Sequence, residues 1–192
     1  MEVTLTRITN DPILAIEEAA SNCYDSMFDN TNVLPDCSNI DFSNVEVVDS
    51  GGLKGLFHGT NVTYSDLEKI LPKNKNGKCY LPCTTLTNGC YSSMFNGCSN
   101  LTKAPELPAT TLAIDCYRYM FKNCTSLTDA PQLHATTLSS WCYATMFQGC
   151  SKLNHIEMLA TDISASSCLT NWAYGVSSTG TFIKNANMEL LP

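Results

Sequence analysis

Between Cys90 and Cys168 the apolar positions return at a fixed interval. Cys90, Cys116, Cys142 and Cys168 stand 26 residues apart. The same interval separates Met94, Met120 and Met146, then Phe95, Phe121 and Phe147, then Cys98, Cys124 and Cys150, then Leu101, Leu127 and Leu153. Leu81, Leu107, Leu133 and Leu159 keep it too. Identities held in phase over three cycles predict a stack of like units, none of which buries its apolar face alone. Within one unit, Cys90, Met94 and Cys98, with Tyr91 and Phe95 beside them, fall at spacings of three and four. That spacing predicts one or two turns of helix, too short to stand without stacking. Asn96-Gly97, Lys122-Asn123 and Gln148-Gly149 end the turn, because Asn and Gly accept the left-handed conformation. An extended piece follows, Leu101 to Leu107, and Pro105 and Pro131 keep any regular strand there short. The Thr-rich segment Pro108 to Leu112 reads as an extended return arm.

Outside this region the pattern is less regular. Residues 1–22 read as a strand-helix cap: Val3 and Leu5 alternate with polar neighbours, Asp11-Pro12 starts a helix, and Ile13, Ile16, Ala20 and Cys23 form its stripe. Residues 23–80 read as irregular repeats. Cys23 to Phe28 copies the helical block, and Met27 to Val33 matches Leu56 to Val62 at an interval of 29. Asn39 to Ser43 and Val45 to Val48 read as strands, Ser65 to Leu71 as a helix stopped by Pro72, and Lys73 to Lys78 as a solvated turn. Residues 81–170 hold the regular repeats. Residues 171–192 read as a C-terminal cap, with Trp172 in the Met column, Ala173 in the Phe column and a last strand at Thr181-Phe182-Ile183.

An apolar fraction of 44% against 15% charged residues is that of a folded chain. A net charge of −7 argues against a nucleic-acid footprint. No run of 18 apolar residues is present, so direct membrane insertion is not expected. The first residues lack the basic and apolar regions of a secretory signal. Of the 11 cysteines, seven occupy two repeat columns. They read as reduced thiols packed in core ladders, with disulfides or a metal as the alternative. Cys79 and Cys83 are a weak zinc signal, since no second pair accompanies them.

A short helix, a short strand and a return arm in one unit match leucine-rich-repeat geometry. The stretch MFNGCSNLTKAPELP, with its two copies, resembles the BspA-like leucine-rich repeats of gut-bacterial surface proteins, of some of their phages and of parasitic protists. The likeness covers roughly residues 23–192. It implies an α/β repeat: a right-handed leucine-rich-repeat-like solenoid with short helices, short parallel strands and a strand-helix N-terminal cap. The first 25 or so residues, MEVTLTRITNDPILAIEEAASNCYDS, resemble the N-terminus of flavin-dependent thymidylate synthases. The arginine- and serine-rich nucleotide motif of that family is absent, and Arg7 and Arg118 are the only arginines. No activity is carried over from it, and no cofactor is expected.

His58, His134 and His155 fall in different repeat phases, and His134 stands where the preceding unit has Pro108. No nucleophile elbow or phosphate loop occurs. Catalytic, cofactor-binding and metal residues are therefore expected to be none. The outward strand positions vary from unit to unit: Thr102, Lys103 and Glu106, then Thr128, Asp129 and Gln132, then Asn154, His155 and Glu157. They are the candidate partner-binding face. The resemblance implies a non-catalytic adhesion module for a host or bacterial surface protein or glycan, at a cell surface, secreted or on a virion. The alternative is a structural spacer or virion component without a ligand of its own.

Overall fold

The block expected as a short helix is a chain of turns. In the computed structural model, which describes residues 14–15, 18–19, 21–30, 40–42, 45 and 47–188, the segment from Gly89 to Cys98 uses its amides in strict alternation. The N–H groups of Ser92, Met94, Asn96 and Cys98 donate to the carbonyl three residues back, at 3.0–3.2 Å. Those of Gly89, Tyr91, Ser93, Phe95 and Gly97 donate out of the unit, to the carbonyls of Ile114, Cys116, Arg118, Met120 and Lys122, at 2.7–3.1 Å. Every backbone donor is thus satisfied without an α-helix. The same scheme links residues 21–30 to 50–58, 51–59 to 88–96, 115–123 to 140–148, and 141–149 to 166–174.

The conformation that permits this recurs at every fourth residue. Gly89, Ser93 and Gly97 have φ of 64°, 58° and 79°; Asp115, Tyr119 and Asn123 have 57°, 59° and 60°. An α-helix would need all of these residues in the right-handed region. The apolar spacing of four persists because a four-residue turn repeat returns Cys90, Met94 and Cys98 to one side, as a helix would. All three are fully buried.

Opposite the turn blocks the chain is extended. The described strands are β1 (Leu14–Ala15), β2 (Glu18–Ala19), β3 (Ile40–Asp41), β4 (Val47–Val48), β5 (His155–Met158) and β6 (Thr181–Lys184), with one helix, α1 (Tyr64–Ile70). β1 pairs with β3, β2 with β4 and β5 with β6, each in parallel. Isolated parallel bridges continue the pattern between them: Tyr80 with Glu106, Lys103 with Asp129, Thr85 with Thr111, and Thr137 with Asp162. α1 is an insertion between the second and third turn blocks. Thr63 caps it through a capping box with Asp66, and Leu67 and Ile70 face the core.

Two further expectations are corrected. Residues 14–15 and 18–19 are strand, paired in register with the following unit, not part of a helix from Pro12. The strand expected at Val3 and Leu5 lies outside the described residues. The leucine column runs Leu81, Leu107, Leu133, Met158, all at most 2% exposed, while Leu159 is only half-buried. Leu133 bridges Met158, and Thr137 bridges Asp162, so the interval here is 25. Ile156 replaces the Ala130-Pro131 pair of the preceding unit, which removes one residue. An extra residue before Cys168 restores the phase of the turn block.

Columns of identical side chains fill the interior. The rings of Phe28, Phe57, Phe95, Phe121 and Phe147 follow one another at 5.5–5.8 Å with planes within 13° of parallel. Tyr91, Tyr117 and Tyr143 form a second column at 5.9 and 6.1 Å. Offset ring stacking of this kind adds to the burial of the rings themselves. The Phe column ends at Trp172, which meets Phe147 edge-on.

Candidate interaction face on the strands

The extended segments fix where the nine candidate face residues stand. Their backbones are tied to the neighbouring units. Thr128 N–H donates to the Thr102 carbonyl at 2.9 Å, Ala104 N–H to Asp129 O at 3.1 Å, and Leu133 N–H to Glu157 O at 3.0 Å. Alternation along each segment sends Leu101, Leu127 and Leu153 inward and leaves their neighbours outside. Thr102, Lys103, Thr128, Asp129, Asn154 and His155 are exposed, and Glu106, Gln132 and Glu157 are half-buried. The bridge between Lys103 and Asp129 makes these two residues neighbours on successive rungs. His155 follows one repeat later and pairs with Thr181 of β6. On the inner row, Glu106 is bridged to Tyr80, and Glu157 is paired with Ile183.

The face carries both signs of charge. Lys78 Nζ donates to Glu106 Oε1 at 2.9 Å, and that carboxylate raises the lysine's pKa. The ammonium is 64% exposed, so the pair contributes little to stability. Thr128 Oγ1 donates to Thr102 O at 3.1 Å and holds the rotamer beside Asp129. Lys103, Asp129 and His155 make no ion pair among the described residues and present their groups to solvent. Asp129 Oδ2 also lies 3.2 Å from the Thr128 hydroxyl. A backbone tied to its neighbours that carries exposed polar groups on adjacent rungs loses little conformational freedom when a ligand lies across it.

Sequence reasoning overlooked Tyr80 and Thr181, which extend the same rows, and Lys78, whose side chain reaches Glu106. Tyr80 stands 26 residues before Glu106, but the α1 insertion hides that phase, and Thr181 lies beyond the last recognisable unit.

The thiols sit in the opposite environment to reactive ones. Burial raises the pKa of Cys79 and Cys83, and Cys83 Sγ lies 3.5 Å from the Val45 carbonyl as a donor. A catalytic thiol needs its pKa lowered. Nine of the described cysteines are buried free thiols. Among the described residues no cluster of His, Cys, Asp or Glu has a metal-holding arrangement, and no helix is long and apolar enough to cross a membrane. His58 is engaged elsewhere, with Nδ1 at 2.5 Å from Asp29 Oδ1 in the preceding turn block.

The chain matches no protein-family model, no curated protein and no solved structure.

Proposed function

We propose that this chain is a non-catalytic interaction module: a BspA-like, right-handed leucine-rich-repeat solenoid that binds a protein or glycan of a host or bacterial surface through its strand face. The observation that carries the reading is the contrast between the two sides of each strand. Inward positions repeat the same residue, whereas Lys103, Asp129 and His155 differ at equivalent places and are all exposed. Packing explains the first set and places no demand on the second, so their variety is available for recognition. Mixed charge and threonine hydroxyls suit a polar, extended ligand better than a compact apolar one. On this reading the protein works at a cell surface or on a virion, with no cofactor and no nucleic acid.

The test is a binding screen of the protein against surface glycans, mucins and bacterial cells, beside a variant carrying Lys103→Ala, Asp129→Ala and His155→Ala. The reading expects binding that the folded variant loses. Absence of binding above background would favour a structural spacer, whose stacked units hold two other parts of an assembly at a fixed distance.

A further inference from the structure

The hydrogen bonds between turn blocks all run one way. In each linked pair of turn blocks the N–H groups belong to the earlier block and the carbonyls to the later one. Aligned peptide dipoles of this kind leave the last block with donors only and a partial positive charge. That block spans residues 166–176. Its local turns are formed, with Cys168, Thr170, Trp172 and Tyr174 each donating three residues back. The outward amides of Ser167, Leu169, Asn171, Ala173 and Gly175 donate to no described residue. Their counterparts in the preceding block, on Trp141, Tyr143, Thr145, Phe147 and Gly149, are all bonded.

The surroundings of this row also point to an occupant. β6 already forms the strand of the next level, paired to β5, yet among the described residues that level has no turn block. The result is a step: a floor of five amides with no acceptor among the described residues and a wall at β6. In the step lies a largely apolar cavity of about 300 Å³, between Trp172, Ala173 and Val176 on one side and Phe182 on the other. Three of the four large apolar side chains exposed on the described surface, Tyr174, Phe182 and Ile183, stand at this end.

We propose that this step is a docking site for a turn-block segment of the same repeat type supplied by a second polypeptide. Such a segment offers carbonyls at alternate residues, which the donor row requires, and a Met or Phe side chain for the cavity. The five internal interfaces are the precedent, since in each of them this position is filled by a turn block. The mode is the counterpart, for turn blocks, of strand addition to a sheet edge. Of the strand-face rows only Asn154 and Thr181 line the cavity. Lys103, Asp129 and His155, which the binding test alters, do not, so the two sites are tested separately.

The test is amide hydrogen exchange of the whole protein with and without a reduced ten-residue peptide matching residues 141–150, WCYATMFQGC, at about 1 mM. A scrambled peptide is the control. The expected result is at least about tenfold slower exchange at residues 167–175 with the matching peptide alone. Ala173→Pro removes one outward donor and no internal bond. Phe182→Ser removes apolar wall from an exposed position. Each should weaken the peptide by about tenfold or more. Unchanged exchange with the matching peptide, or equal protection by the scrambled one, would overturn the proposal. So would full affinity in a folded Phe182→Ser variant.

Discussion

Cys124 Sγ lies 3.0 Å from the carbonyl oxygen of Phe95, in the preceding unit, and donates its S–H to it. The relation repeats at 3.0 Å between Cys98 and Phe57 and between Cys150 and Phe121. In the second turn block Thr60 takes the cysteine's place, and its hydroxyl donates within its own block, to Phe57 O at 2.9 Å. The column therefore selects a small side chain with a donor. Cys124→Ala should destabilise by about 1–2 kcal/mol, from lost contact and a lost weak hydrogen bond. Cys124→Ser keeps the donor and should cost less. Urea unfolding of the three proteins measures this, and Ser costing more than Ala would count against the donor role.

The turn blocks reverse the usual order of Ala and Gly. Ser93 has φ of 58°. In a helix Ala is better than Gly by about 1 kcal/mol. In the left-handed region Gly is favoured by about the same amount. Ser93→Gly is expected to melt above Ser93→Ala, and Gly55, which holds the equivalent place with φ of 60°, is the internal precedent. Calorimetry on the two variants reads the sign directly, and an Ala variant melting higher would restore the helix.

Burial makes the thiol columns an alkaline weakness. Cys90, Cys98, Cys142 and Cys150 are pushed up to about 12 from an ordinary value of 9.0, and Cys116 and Cys124 are also raised. The folded state favours the neutral thiol. Its stabilising effect is complete below about pH 9, where both states hold the proton, and is lost as pH climbs toward 12. In that window each thiol removes up to about 1.4 kcal/mol per pH unit. With several acting together, cooperative unfolding is expected between about pH 9 and 11. Denaturant midpoints that stay level from pH 8 to 11 would contradict this.

Tyr117 contributes through its ring. Its hydroxyl is buried and meets no hydrogen-bonding group among the described residues, while the ring stacks between Tyr91 and Tyr143. Tyr117→Phe keeps the stack and removes the unpaired polar atom, so stability should hold or rise by about 1 kcal/mol. A loss larger than that in chemical unfolding would reveal a partner for the hydroxyl.

The period was legible because Cys, Met, Phe and Leu recur as identical residues in stacked columns. The turn blocks were not, because Cys90, Met94 and Cys98 satisfy a helix and a four-residue turn repeat equally. The deciding signal lay between them: Gly51, Gly55 and Gly59, four apart, suit a left-handed position at each repeat and would weaken a helix three times. Leu159 was placed in the buried column because it is a leucine and stands 26 residues after Leu133, but a one-residue loss at Ile156 moved Met158 into its place. On the candidate face Thr102, Lys103, Thr128, Asp129, Asn154 and His155 are exposed, an outcome that strand alternation from the inward leucines suffices to place. Its continuation to Tyr80 and Thr181 was masked by the α1 insertion and by the end of the recognisable repeat.

The measurement that bears most directly on the strand face compares two variants on the first ligand the binding screen yields. One carries Lys103→Ala, Asp129→Ala and His155→Ala on the strand face. The other carries Lys54→Ala and Lys122→Ala on the turn blocks, and both must keep the parent melting temperature. Loss of three exposed polar contacts is expected to weaken binding by about 100-fold in the first, with less than a twofold change in the second. Equal affinity in both, or loss confined to the turn-block variant, would contradict the assignment of function to the strands.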